Sequence, residues 1–229
     1  MDKIDYISLV SHEVKTPIAN ICGYSDIIRN GMTNEETTYR YAGNIYNESR
    51  RMGKLVDDLV YIIRAYENEL VPQLYSKAVR RIVNDAIERI SIRYGSFGSL
   101  NINIEGNTEA MIDELMLEEA IFKILENCVL HGNNEYKGDN SLPYSDIDIK
   151  ISSLKGKSLI EISDSGKGMD ESVLNNVFDL FYRADKKHSR VMGCNGLGLS
   201  VVKAIITAHG GECVIKSEIN KGTTVSLIV

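Results

Sequence analysis

The strongest constraint on the fold lies in the first seventy residues, where two apolar runs each repeat with the period of a packed helix. Ile4, Ile7, Ser11, Val14, Ile18, Ile21, Ser25 and Ile28 alternate spacings of three and four, the mark of a helix with one buried seam. Ala42, Ile45, Ser49, Met52, Val56, Leu59, Ile63, Tyr66 and Leu70 do the same and end at Val71-Pro72. Between them, Asn30-Gly31-Met32-Thr33-Asn34 reads as a glycine stop and a loop, with Thr33 or Asn34 as the next N-cap. Two such helices joined by a short loop form an antiparallel hairpin. A lone hairpin leaves its stripe in water, and each exposed aliphatic side chain forfeits ~1.5–3 kcal/mol of burial. Pairing two hairpins into a four-helix bundle removes that cost, so a homodimer through residues 1–70 is expected.

His12 sits just off this seam, on the flank of the first helix, within Ser11-His12-Glu13-Val14-Lys15-Thr16-Pro17. A flank position is wet and open to another domain, whereas a core histidine would lie on the seam. Pro17 removes one backbone hydrogen bond, which predicts a bend just past His12. Only a neutral imidazole has a free lone pair, and its ordinary pKa near ~6.5 keeps much of it neutral at cytoplasmic pH. Glu13 stands where it could take or orient the ring proton. The first helix also begins almost at Met1 without a cap, which reads as a piece of a longer protein.

Beyond Pro72 the pattern becomes mixed α/β. Helices are expected near 78–94, 115–131 and 197–209. Strands are expected at 100–104, 110–113, 147–151 and 159–163, with two more near 212–218 and 223–229. Gly132 to Asp146 reads as a loop. The net charge of −6 argues against a broad nucleic-acid surface. No apolar run reaches the ~20 residues of a membrane span. Cys22, Cys128, Cys194 and Cys213 form no C-x-x-C pair, so reduced thiols in a cytosolic compartment are the expectation.

Three stretches of this second part carry chemistry. Asp164-Ser165-Gly166-Lys167-Gly168 follows a strand and precedes the helix-like stretch 170–177. A buried carboxylate beside glycines can accept from the exocyclic amine of adenine while the ring approaches bare backbone. Asn127 lies on the 115–131 helix and offers Mg²⁺ an amide oxygen. Gly193-Cys194-Asn195-Gly196-Leu197-Gly198-Leu199 opens a helix, whose first N–H groups suit phosphate oxygens. Arg183, Lys186, Lys187, His188 and Arg190 precede it as a basic stretch that could close over a triphosphate. His209 before Gly210-Gly211 reads as a cationic helix C-cap. His131 ends its helix, either capping it or approaching phosphate.

In order and context these elements resemble a bacterial sensor histidine kinase of two-component signalling. Ser11 to Pro17 matches the H box, Asn127 the N box, Asp164 to Gly168 the G1 box, Phe178 to Phe181 the F box, and Gly196 to Leu199 the G2 box. The resemblance spans essentially the whole chain. It implies a dimerisation and phosphotransfer hairpin over 1–71, forming a dimeric four-helix bundle. An α/β sandwich of the histidine kinase and gyrase ATPase type would follow over 72–229. His12 would be phosphorylated on a ring nitrogen with Glu13 as proton acceptor, and Thr16 would orient water for dephosphorylating the partner. Asn127 would hold Mg²⁺, and Asp164 would bind adenine. Gly166, Gly168, Gly196, Leu197 and Gly198 would line the ATP pocket, with Lys123, His131, Arg183 and Arg190 toward the phosphates. The phosphoryl group would pass to an aspartate of a response regulator. The fragment would be a cytoplasmic domain of a protein anchored in the bacterial cell membrane.

Three departures stand out, one of them a loop from Gly132 to Asp146 longer than is typical of the family. Lys123 replaces the family's earlier N-box asparagine and cannot ligate Mg²⁺ as an amide does. Cys194 replaces a common glycine before the G2 box. Lys123 and Cys194 motivate one alternative, a degenerate kinase acting as scaffold or phosphatase; the motifs over 115–210 leave another, a Bergerat-type ATPase without a phospho-acceptor.

Overall fold

The alternation of apolar residues at 4–28 and 42–66 becomes two long helices packed side by side, α1 (Lys3–Arg29) and α2 (Glu35–Tyr66). The structure, a computed structural model, describes residues 3–94, 100–131, 145–184 and 194–229. Helix α1 runs through Pro17 as one element, so the expected bend does not divide it. Thr16 Oγ1 adds a hydroxyl bond to the His12 carbonyl at 3.3 Å, next to the position that proline cannot serve. Gly31, at φ +67°, turns the chain out of α1. Asn34 then caps α2: its side chain accepts from Thr37 N–H, and Thr37 Oγ1 accepts in return from Asn34 N–H.

Helix α2 stops at Tyr66, four residues before the end of its apolar pattern. Asn68 takes φ +58°, and the N–H groups of Glu69 and Leu70 return to the Arg64 carbonyl, which closes the helix end. Leu70 then buries in the core of the following domain, and Gln73 N–H donates to Asp113 Oδ2 at 2.9 Å. The sequence places a hinge near 70–73. The structure fastens Leu70 and Gln73 to the sheet domain, so the link between the domains is the turn at 67–69, which is held by bonds back to α2.

That domain contains β1 (Tyr75–Ala78), α3 (Val79–Tyr94), β2 (Leu100–Gly106), β3 (Glu109–Ile112), α4 (Glu114–His131), β4 (Ser145–Leu154) and β5 (Lys157–Asp164). The short α5 (Glu171–Leu174), α6 (Gly198–Ala208), β6 (Glu212–Glu218) and β7 (Gly222–Ile228) complete it. The main sheet has the order β2-β4-β5-β7-β6, with β2 and β4 parallel and the other pairs antiparallel. The pair β1-β3 forms a separate small ribbon. Period-two patterning puts Ile147, Ile149, Ile151, Ile160, Ile162, Val225 and Leu227 on the buried face. Helices α3, α4 and α6 supply the facing layer through Ile82, Val83, Leu117, Ile121, Val201, Val202 and Ile205.

Helix α2 presents two apolar faces. Leu55, Leu59 and Ile62 are buried against the sheet domain, whereas Val56, Val60 and Ile63 face solvent. A second cluster joins the hairpin to the loops of the sheet domain: Leu55, Leu59, Phe181 and Leu197 pack with Leu9, Val10 and Val14 of α1. Among the described residues no helix is long and apolar enough to cross a membrane.

Candidate active site

Helix α4 lies between the sheet, α3, α6 and the hairpin and is buried around nearly its whole circumference. Two of its buried residues, Lys123 and Glu126, carry charge. A buried charge needs a partner, since stranding one costs several kcal/mol. The hairpin supplies both: Lys123 Nζ donates to Asp58 Oδ1, and Lys54 Nζ donates to Glu126 Oε2. Glu119 adds a second carboxylate to Lys123 at 3.3 Å. Glu126 also accepts from Tyr94 Oη at 2.8 Å, and Arg93 lies 3.7 Å from it.

Burial opposes charge on both Lys123 and Asp58. It pushes the Asp58 carboxyl up against the pull of Lys123 and Lys54. At Lys123, burial is outweighed by Asp58, Glu119 and Glu126, which together hold the ammonium above the ordinary lysine value. Lys123 thus meets three carboxylates, whereas Asp58 meets the cations of Lys123 and Lys54. Glu126 is likewise held below the usual carboxylate range: burial acts upward but is overcome by Lys54, then Tyr94 and Arg93.

Beside this junction is a cavity lined by Asn127, Cys128 and His131 of α4, Asp164 at the end of β5, Gly168, Met169, Arg183, Cys194, Gly196, Gly198 and Thr223, with Lys54 and Asp58 on the hairpin side. Its apolar wall includes Val173, Val177, Leu199, Ile215 and Val225. Asp164 is the anchor at one end. Its Oδ1 accepts from Gly166 N–H at 2.8 Å, and its carboxylate takes further hydrogen bonds from Thr223 N–H and the Cys128 thiol. Burial pushes the Asp164 carboxyl upward in spite of these donors. Cys128 is raised well above the usual thiol value by burial and by Asp164, so it stays S–H and donates.

The glycines earn their positions here through close backbone approach. A Cβ on Gly168 would lie 2.0 Å from the Glu218 carbonyl oxygen, and one on Gly222 would lie 1.9 Å from that of Asp164. Both residues have positive φ. Gly196, at φ +72°, accepts from Phe181 N–H at 2.8 Å and has no room for a side chain against Phe181 and Tyr182.

The other half of the candidate site is on α1. The His12 side chain is 77% exposed, and its Nδ1 lies 3.9 Å from Glu13 Oε1. Glu13 is turned inward: its Oε1 accepts from Arg183 at 2.7 Å, and its Oε2 lies 3.8 Å from Arg51. Arg51 Nε donates to Asn195 Oδ1 at 3.1 Å. The residue beside the histidine is thus joined to both segments flanking residues 185–193.

The structure brings Asn127, His131, Asp164, Gly168, Arg183, Gly196 and Gly198 to one cavity. Gly166 acts through its N–H on Asp164. Leu197 is fully buried in the cluster with Phe181 rather than lining the cavity. Lys123, expected toward phosphate, turns to Asp58 and Glu119. Arg190, Lys186, Lys187 and His188 lie outside the described residues, as does most of the loop 132–146. His209 departs from the cationic cap expected of it. Its Nε2 accepts from Asp113 N–H at 3.0 Å while Nδ1 donates to the Ile205 carbonyl, an arrangement of the neutral ring. Half-buried Cys194 lies 4.0 Å from His131 Nε2, and burial raises its thiol. Sequence reasoning missed Lys54, Asp58, Arg51, Thr223 and Cys128. The first three sit on a helix face that reads as solvated, and nothing local marks them.

The donor set fits a purine nucleotide: a buried carboxylate for an exocyclic amine, an apolar slot, and glycines, an amide and cations toward a helix start. Residues 112–229 match the family described as Histidine kinase-, DNA gyrase B-, and HSP90-like ATPase. The chain belongs to that family. Residues 2–65 match the His Kinase A (phospho-acceptor) domain. The two matches stand side by side in one chain, a phospho-acceptor domain followed by an ATPase domain. The signal transduction histidine-protein kinase ArlS of Staphylococcus aureus is 31% identical over 224 residues, covering 97% of this chain and 48% of ArlS. The chain thus spans about half the length of the curated relatives it matches. The fold is shared with histidine kinase AdeS of Acinetobacter baumannii at TM-score 0.71 and 18% identity, covering 95% of this chain and 96% of that one. It is shared also with histidine kinase ThkA, solved in complex with response regulator protein TrrA, at TM-score 0.72 and 16% identity, covering 98% of this chain and 60% of that one. Membership of the ATPase family gives the chain an ATP-binding domain.

Proposed function

We propose that the chain is the cytoplasmic catalytic core of a membrane-anchored sensor histidine kinase, divided at 71/72 into a phosphotransfer hairpin and an ATP-binding domain. The observation that carries the reading is a single one: an exposed imidazole on α1 whose neighbour Glu13 is bonded to Arg183, a residue of the nucleotide cavity. A free-standing ATPase has no use for that connection, and the phospho-acceptor match over 2–65 disfavours it.

In this mechanism the ATP-binding domain grips the nucleotide and the hairpin presents the nucleophile. Asp164 accepts from the adenine amine. Asn127 would hold Mg²⁺, which would supply charge neutralisation at the phosphates. The lone pair of a neutral His12 ring nitrogen attacks the γ-phosphorus, the bond to the β,γ-bridging oxygen breaks, and ADP leaves with that electron pair. The ring proton passes to Glu13, which must first be released by Arg183. Catalysis is mainly a matter of positioning, so the domains must move about residues 67–69 to bring the two halves together.

An aspartate of a response regulator then attacks the phosphohistidine, for which the outward-facing His12 is suitably placed. Thr16, one turn along α1, would orient water when the same surface dephosphorylates the regulator. The outward Val56, Val60 and Ile63 face supports a homodimer through residues 1–70.

Peptide mapping at neutral pH after incubation with Mg-ATP tests the assignment. The peptide containing His12 gains one phosphoryl group in the wild type and none in Asn127→Ala. ATP hydrolysis without any phosphopeptide would make the chain an ATPase instead.

A further inference from the structure

The two lysines at the junction between hairpin and ATP-binding domain differ in what their removal would strand. Lys123 is held by Asp58 and Glu119 with its side chain 4% exposed. If it left, Asp58, itself 3% exposed, would lose its only hydrogen-bonded cation among the described residues. Lys54 is different. Its partner Glu126 retains Tyr94 Oη at 2.8 Å and Arg93 at 3.7 Å, so Lys54 can depart without leaving an uncompensated buried carboxylate.

Lys54 also faces the right place. It lines the nucleotide cavity although it belongs to α2, and its carboxylate partner directly precedes Asn127 in sequence. Its charge is felt at Asp58 on the hairpin and at Cys194, two residues before Gly196. The ammonium therefore stands beside α4 and near the segment that leads into α6, whose first residues Gly198 and Leu199 line the same cavity. Phosphate oxygens suit that helix start, because the first N–H groups of a helix form its positive end. A triphosphate carries more negative charge than Glu126 and competes for the same cation.

We infer that Lys54 is a nucleotide ligand contributed by the hairpin: it exchanges Glu126 for the triphosphate of bound ATP, so that part of the phosphate site comes from the phosphotransfer domain. This rests on the ATP-binding reading above and adds to it a residue outside the ATP-binding domain. The inferred exchange has a thermodynamic corollary. A ligand that draws Lys54 from Glu126 to phosphate ties hairpin position to the presence of phosphates, and the coupling acts equally in both directions.

The test is equilibrium binding to the full 229-residue chain of the β,γ-imido analogue of ATP and of AMP, by calorimetry. Wild type, Lys54→Ala and Lys54→Arg are compared. The expected result is a loss of about ten-fold in affinity for the imido triphosphate in Lys54→Ala, with AMP changed by less than about two-fold. Lys54→Arg, which keeps the charge, restores most of the loss. A Lys54→Ala chain that binds the triphosphate as tightly as wild type, or more tightly, overturns the assignment: Lys54 would then be only a clamp on Glu126, and the kinase reading would stand. A wild type that binds neither nucleotide overturns both readings.

Discussion

Arg183 donates to Glu13 at 2.7 Å although the two are 170 residues apart in sequence. The carboxylate beside His12, the proposed phospho-acceptor, is therefore held by the same guanidinium that lines the cavity. In this arrangement His12 faces solvent and Glu13 is engaged by Arg183, so under the proposed mechanism phosphorylation needs a domain movement.

Glu13→Gln keeps the shape of that contact but removes the proton acceptor. General-base catalysis is worth roughly 10²–10⁴-fold, so the single-turnover rate of His12 phosphorylation should fall within that range. Affinity for an ATP analogue should stay near wild type. Rapid-quench kinetics beside a binding isotherm separates the two.

The Asp58–Lys123 pair governs stability more than chemistry. Asp58→Ala leaves an ammonium buried with one carboxylate instead of two and should cost about 3–5 kcal/mol in urea denaturation. Replacing both residues by apolar ones of similar volume, Asp58→Leu with Lys123→Met, should recover most of that loss.

Glu126 sets an acid limb of the stability curve. Its folded-state pKa is lowered, so its contribution is complete above the unfolded value near ~4.3 and is lost as pH falls through the lower folded value. Glu126→Gln should flatten the decline of the urea midpoint over that acid window. Asp164 acts with the opposite sign: its raised pKa costs stability as pH rises past the unfolded value near ~3.9, so Asp164→Asn should relieve that cost while abolishing adenine selectivity.

The glycines near the cavity are not equivalent. Gly222→Ala places a Cβ 1.9 Å from the Asp164 carbonyl oxygen at φ +103°, so the backbone must shift. A loss of at least about 2 kcal/mol with weakened nucleotide binding is expected. At Gly198 the nearest atom to an added Cβ is Lys123 Cδ at 4.0 Å. Gly198→Ala should leave the thermal midpoint close to wild type. Thermal melts of both variants check the contrast.

What was readable in the sequence follows the range of the forces involved. The helices, the Asn34 cap, the Gly31 stop and the buried strands are set by residues a few positions apart, and periodicity reports them directly. Asp164 and the glycines were legible because a backbone turn demands particular residue types, and Asn127 because an amide stands out on a helix that is otherwise largely apolar. The strand Tyr75–Ala78 was not, since its two-stranded pairing with Glu109–Ile112 leaves it exposed at Tyr75 and Ser76 without a clear alternation. The overlong estimate of α2 arose because Leu70 continues the apolar period while burying in a different core. Lys123 was read through its position beside Asn127, yet its direction is fixed by Asp58, sixty-five residues earlier. No local pattern encodes such a pairing. His209 was read as a charge at a helix end, but a backbone N–H from Asp113 claims its second nitrogen.

The most direct measurement is incubation of wild type and His12→Gln with γ-phosphate-labelled ATP, followed by acid and alkali treatment of the protein. Label that is lost in acid, survives alkali and is absent from His12→Gln is the expected result. Label retained by His12→Gln with that same lability would contradict the assignment of the phospho-acceptor, because the chain would then carry its phosphoryl group elsewhere.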